Sequence, residues 1–138
     1  MKDFSQYKNV GKTSNTDYYI AESDSDILIV VPHEGTVDNP KDARENVIFQ
    51  SGYARSLEKK CSTLVVLAAL VAQDAETRRI YASEMENDLF FAAALVVDSA
   101  LSRAIGSFFI GLSRPQMPTK LFDTTDKATA WLKTMRPA

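Results

Sequence analysis

The chain has 138 residues, 45% of them hydrophobic and 25% charged, a balance that suits one globular domain with a real core. A net charge of -2 at pH 7 supplies no basic field for nucleic acid or an anionic membrane, and no apolar run approaches the ~20 residues of a membrane helix. With one cysteine, Cys61, and one histidine, His33, neither an internal disulfide nor a multi-thiolate zinc site can form, which fits a reducing cytoplasm.

Residues 1–17 are polar and without periodicity, and lack the apolar core of a secretory signal. They read as a flexible polar tail, with Phe4 and Tyr7 able to dock, before a domain over 18–138. Residues 18–21 and 27–31 are β-rich and flank the turn formers Glu22-Ser23-Asp24-Ser25-Asp26, so they predict a hairpin. The run 27–31 is apolar throughout, as in a strand covered on both faces. After a loop over 32–39, Asn39 can cap a helix that carries Pro40 at its first position and Asp42 in its first turn. The helix extends to about Lys59, with Ala43, Val47, Ala54 and Leu57 inward and Ile48 and Ser51 beside them.

Residues 63–71 read as a central strand, followed by a helix capped by Asp74 with Ala75, Ile80, Met85 and Leu89 on its thin apolar face. Residues 90–97 form a further buried strand. Ser99 then caps a helix whose Leu101, Ala104, Ile105, Phe108, Phe109 and Leu112 follow a helical period and predict its inner face. Ser102, Arg103, Gly106, Ser107, Ile110 and Gly111 fall on the other side, and Gly111 is the expected stop. Residues 120–122 make a short strand beyond Pro115 and Pro118. Thr124 or Thr125 caps a last helix with Ala128, Trp131, Leu132 and Met135 inward. The alternation predicts an α/β fold with a mainly parallel sheet and an antiparallel edge.

Chemically the chain is spare. His33 beside Glu34 has no Ser or Cys at motif spacing, and an exposed loop histidine is the plainer reading. Asp24 and Asp26 serve a turn rather than a calcium loop, and no glycine-rich phosphate motif is present. Arg78, Arg79, Arg103 and Arg114 read as solvated helix arginines. No catalytic constellation, cofactor motif or metal set emerges.

Two strand-to-helix junctions remain as weak candidates. Asp98, Ser99 and Arg103 offer a helix start where open α/β sheets bind ligands, although Ser99 is explained as a cap. Asp74 to Thr77 is the equivalent junction one strand earlier. Phe49 and Tyr53, one turn apart, and the small residues Ser102 and Gly106 are candidates for a partner surface, including a homodimer. Folding of the two aromatics over the rim of the core is the plainer reading.

The element order and the segment LVVDSALSRAIGSFF…RPQMPTKLFDTTDKATAWL resemble an uncharacterised bacterial family with a STAS-like, SpoIIAA-like (anti-sigma-factor-antagonist-like) fold. The resemblance runs from Tyr18 to Leu132 in element order and is specific in the last third. It implies four to five strands with about four helices packed largely on one side. It also implies action through partner proteins, with some relatives binding lipophilic or nucleotide ligands. True anti-sigma antagonists carry a phosphorylatable Asp-Ser pair at the helix after the central strand. Here that helix starts Asp74-Ala75-Glu76-Thr77, so the Ser is absent. The expectation is a non-catalytic module working by protein contact, the alternative a carrier or sensor of a small lipophilic or anionic ligand.

Overall fold

The apolar stretches at 27–31, 63–66 and 90–96 supply the middle of a sheet in the computed structural model, which describes residues 4–137. In chain order the strands are β1 (Lys8–Lys12), β2 (Thr16–Ala21), β3 (Asp24–Pro32), β4 (Thr36–Asp38), β5 (Cys61–Val66), β6 (Leu70–Gln73), β7 (Phe90–Val96) and β8 (Thr119–Phe122). The helices are α1 (Pro40–Ser56), α2 (Ala75–Glu84), α3 (Ala100–Phe108) and α4 (Thr125–Thr134). Six strands form the main sheet in the order β1-β2-β3-β5-β7-β8, while β4 and β6 pair separately. The first three strands form an antiparallel meander, and β3, β5, β7 and β8 run parallel, with Ile29 opposite Leu64 and Leu64 opposite Ala94.

Each crossover from β3 to β8 steps to the next strand in one direction, which keeps α1, α2 and α3 on one face. There Tyr18, Leu28, Val30 and Cys61 meet Ala43, Val47 and Ala54 of α1 and Ile80 of α2. On the other face Ile27, Ile29, Leu64 and Ala94 pack with Ala128 and Leu132 of α4. All seven residues of β7 are buried, as expected of a strand covered on both sides. The α/β, mostly parallel architecture expected from the sequence is therefore present. It has six strands in its main sheet rather than four or five.

Three expectations need correction. The flexible tail over 1–17 contains β1, and Phe4 stacks on Tyr19 with ring centroids 5.4 Å apart. As a polar edge strand β1 shows no hydrophobic period, since Val10 alone turns to the core. The strand expected over 63–71 is divided: β5 ends at Val66, a 3-10 turn over Leu67–Ala69 lifts the chain away, and β6 joins β4.

The third correction concerns α3. Its buried residues are Ser102, Ile105 and Gly106, whereas Leu101, Phe108 and Leu112 are at least half exposed. A Cβ at Gly106 would lie 2.6 Å from Leu121 Cδ2 and 3.2 Å from Leu67 Cδ1. The backbone therefore approaches the sheet on the small-residue side. Gly111 does not stop the helix. A π turn over Phe109–Ser113 follows, and Arg114 ends it in the left-handed region at φ 51° before Pro115.

Asp24 and Asp26, expected in the turn, lie at the start of β3. Arg136, just beyond α4, donates from Nε to Asp26 Oδ2 at 2.9 Å and from Nη2 to Asp26 Oδ1 at 2.9 Å and Asp24 Oδ1 at 2.7 Å. Lys133 lies 3.3 Å from Asp24 Oδ2. These contacts bind the end of α4 to the start of β3.

Candidate functional site

The junction at Asp98, Ser99 and Arg103 is closed by its own side chains. Ser99 Oγ accepts from Ser102 N at 3.1 Å, while Ser102 Oγ accepts from Ser99 N at 3.1 Å and Asp98 N at 3.0 Å. This reciprocal box occupies amide donors that a ligand would need. Asp98 and Arg103 are exposed, and neither lines the cavity described below. At the start of α2, Asp74 Oδ1 accepts from Thr77 N at 2.8 Å, and Thr77 is fully buried. Its hydroxyl is enclosed.

The four residues expected on a partner surface are occupied within the fold. The Phe49 ring stacks on Tyr18 at 4.2 Å and lies where a side chain at Gly11 would stand. Tyr53 OH donates to Ser25 O at 2.7 Å. Ser102 and Gly106 face the sheet, as described above. Three of the six residues predicted to be inward on this helix lie at the surface instead, while Ile105 is buried. Leu101, Phe108 and Leu112 are 51%, 50% and 71% exposed, and the Arg78 guanidinium lies 5.7 Å from the centre of the Phe108 ring. Val37 and Val71 are also exposed, in the two-stranded sheet that α3 touches.

A cavity of about 80 Å³ lies between the sheet and its three-helix face. The sheet contributes Val30, Thr63, Val65 and Leu95, while Met85, Phe109 and Met117 come from the helix side. Its polar end is built by Asp38 of β4, Gln50 of α1, Gln73 of β6 and Tyr81 of α2. Asn46 is the hub behind them. It accepts from Tyr18 OH at 2.7 Å and Thr13 Oγ1 at 2.6 Å, and donates to Asn15 Oδ1 at 2.9 Å and Tyr81 OH at 3.1 Å. Gln50 Nε2 donates to Tyr18 OH at 3.2 Å.

Asp38 accepts from Asn39 N and Gln73 Nε2, each at 3.1 Å, and from Asn15 Nδ2 at 3.4 Å. Burial nevertheless holds its carboxyl above the usual range, outweighing the hydrogen bonds from Gln73, Tyr81, Asn15 and Asn39 that favour the ionised form. Burial raises the Tyr81 hydroxyl as well, assisted by the nearby Asp38 charge. No Lys, Arg or His lines the cavity. Thr63, 4% exposed, lies on its wall with no side-chain hydrogen bond among the described residues. The alternative expectation required a pocket between the sheet and a helix, and this cavity has that position.

The remaining reactive groups lie apart from this cavity. Cys61 is buried, and burial pushes its thiol up to about 12. His33 is exposed, with Nε2 3.2 Å from Asp17 Oδ1. An open depression of about 310 Å³ beside α4 includes Asp24 and Lys133, whose charges already face each other. Among the described residues no group of three His, Cys, Asp or Glu side chains could hold a metal ion, and no helix is long and apolar enough to cross a membrane.

Sequence reading passed over Asp38, Asn46, Gln50 and Thr63. Asn46 and Gln50 had a legible signal, because they continue the inward α1 grid of Ala43, Val47 and Ala54 with polar side chains. Asp38 had none, since its burial depends on β4 pairing with β6 across 35 residues, as in its bond to Gln73.

The model of the family described as "Domain of unknown function (DUF7793)" matches residues 19–136, most of the chain. The chain belongs to this family. A solved structure from Shewanella loihica PV-4, described as an uncharacterized protein from the DUF3478 family with a SpoIIAA-like fold, superposes on it with a TM-score of 0.54 at 10% identity. The alignment covers 96% of this chain and 98% of that one. At such identity the likeness concerns the fold, which is SpoIIAA-like as the sequence resemblance implied. Comparison with curated proteins gives no match.

Proposed function

We propose that this DUF7793 chain is a non-catalytic regulatory module that works by protein contact, without a phosphoserine switch, and that α3 presents its contact face. One observation carries the reading: Leu101, Phe108 and Leu112 form an exposed apolar stripe along α3 and the π turn. An aligned set of large apolar side chains at the surface exceeds the scattered exposure of an ordinary soluble face. Thr77, the position nearest the phosphosite of true anti-sigma antagonists, is buried, which supports contact through a fixed surface.

The test compares the wild type with Leu101→Ser/Phe108→Ser/Leu112→Ser in capture from the native cell extract. Proteins retained by the wild type and lost by the triple variant, at unchanged thermal stability, support the face. Identical captured sets refute it. Light scattering across concentrations asks whether the partner is a second copy, since a constant 15.3 kDa species rules out a homodimer. A second reading, a carrier or sensor of a small ligand, is favoured by the cavity at Asp38 and Thr63.

A further inference from the structure

We propose that the cavity between the sheet and α1, α2 and the π turn binds a compact, uncharged, mainly apolar molecule with one hydrogen-bonding group, and that it rejects anions. This deepens the carrier reading and does not depend on the α3 contact face. It narrows the ligand class expected from the sequence, which included anions.

The wall supplies the apolar part of the recognition through Val30, Val65, Leu95, Met85, Phe109 and Met117. Thr63 supplies the polar part. Its side chain lies on the wall and makes no side-chain hydrogen bond among the described residues. A hydroxyl on a cavity wall can donate or accept one hydrogen bond with a ligand group. Asp38, Gln50 and Tyr81 are already joined in the Asn46 network.

Charge decides against anions. With no Lys, Arg or His on the wall, a carboxylate or phosphate would be desolvated without a counter-charge and face Asp38. Size also restricts the occupant. The cavity is about 80 Å³, against the ~150 Å³ that accommodates benzene in an engineered core. A branched group of a few carbons therefore suits it better than a fatty chain. Met85 and Met117 can change rotamer and adapt the wall to slightly larger bodies.

Isobutyramide and isobutyrate have the same shape at neutral pH and differ in charge. Each is titrated into the methyl-labelled full chain and followed by NMR. Isobutyramide is expected to shift the Val65, Leu95 and Met117 methyls saturably, and isobutyrate to bind at least about tenfold more weakly. Thr63→Val, which keeps the shape and removes the hydroxyl, should weaken isobutyramide by about fivefold. Ala93→Leu grows into the cavity and should abolish the shifts. If isobutyrate binds as tightly as the amide, the uncharged class is wrong while the carrier reading stands. If neither compound moves the cavity methyls, both fall. Shifts that persist in a folded Ala93→Leu place the binding elsewhere and overturn the assignment. Should that variant fail to fold, the amide–carboxylate contrast and Thr63→Val decide.

Discussion

Gly106→Leu gives opposite signs for the two orientations of α3. On a solvent face, replacing a mid-helix glycine by leucine gains about 0.8 kcal/mol of helix propensity. Against the sheet, the new Cβ alone would stand 2.6 Å from Leu121 Cδ2, 3.2 Å from Leu67 Cδ1 and 3.7 Å from Leu95 Cδ1. Three further carbons must then enter the same space. Overpacking costs about 1–3 kcal/mol and here belongs at the upper end, so the net loss is about 2 kcal/mol after the propensity gain. For a chain of this length that lowers Tm by roughly 6–10 °C. Gly52→Leu on α1 is the control, because nothing lies within 4 Å of a Cβ there. It should raise Tm by a few degrees. Thermal unfolding by far-UV circular dichroism reads both variants. If Gly106→Leu stabilises the protein as Gly52→Leu does, Gly106 faces solvent and the exposed stripe is misplaced.

Two further predictions concern charge. Asp38 has a raised folded pKa, so above the ordinary carboxylate range the unfolded chain releases a proton that the folded chain retains. Its contribution to stability therefore falls as pH rises from the ordinary value to the raised one. Asp38→Asn removes that slope, and urea unfolding should show the difference, variant minus wild type, increasing with pH across this window. A flat or decreasing difference refutes the burial argument. Arg136→Ala leaves Asp26, 3% exposed, without its charged donors and should cost about 2–3 kcal/mol, or roughly 6–15 °C in Tm. Asp24 is held below the usual carboxylate range first by the Arg136 hydrogen bond, so this loss should shrink as pH falls through its lowered value. A loss that is independent of pH would assign the effect to packing alone.

The alternation of strands and helices was legible because each central strand is a short apolar run and each helix begins with a side-chain cap. Asn39, Asp74, Ser99 and Thr124 all accept from backbone amides where the sequence placed a helix start. What escaped were features set by contacts distant in sequence. Lys8–Lys12 are polar and form a strand because β2 offers an edge and Phe49 covers Gly11. The candidate site escaped for the same reason, since Asp38, Gln50, Thr63 and Tyr81 come from four elements and no local motif joins them.

The helix with the clearest apolar period had its orientation misread, and the cause is general. Periodicity identifies a helix but not which side a sheet will take when small residues offer closer approach. Gly106 and Ser102 let α3 sit tightly on Leu67, Leu95 and Leu121, which leaves Leu101, Phe108 and Leu112 outside. The consecutive residues Phe108 and Phe109 lie in different surroundings, one at the surface and the other on the cavity wall. In an isolated fold the small-residue face would be the poorer one to bury, because it leaves more apolar area in water. Its burial here is therefore the physical reason to seek the partner on α3.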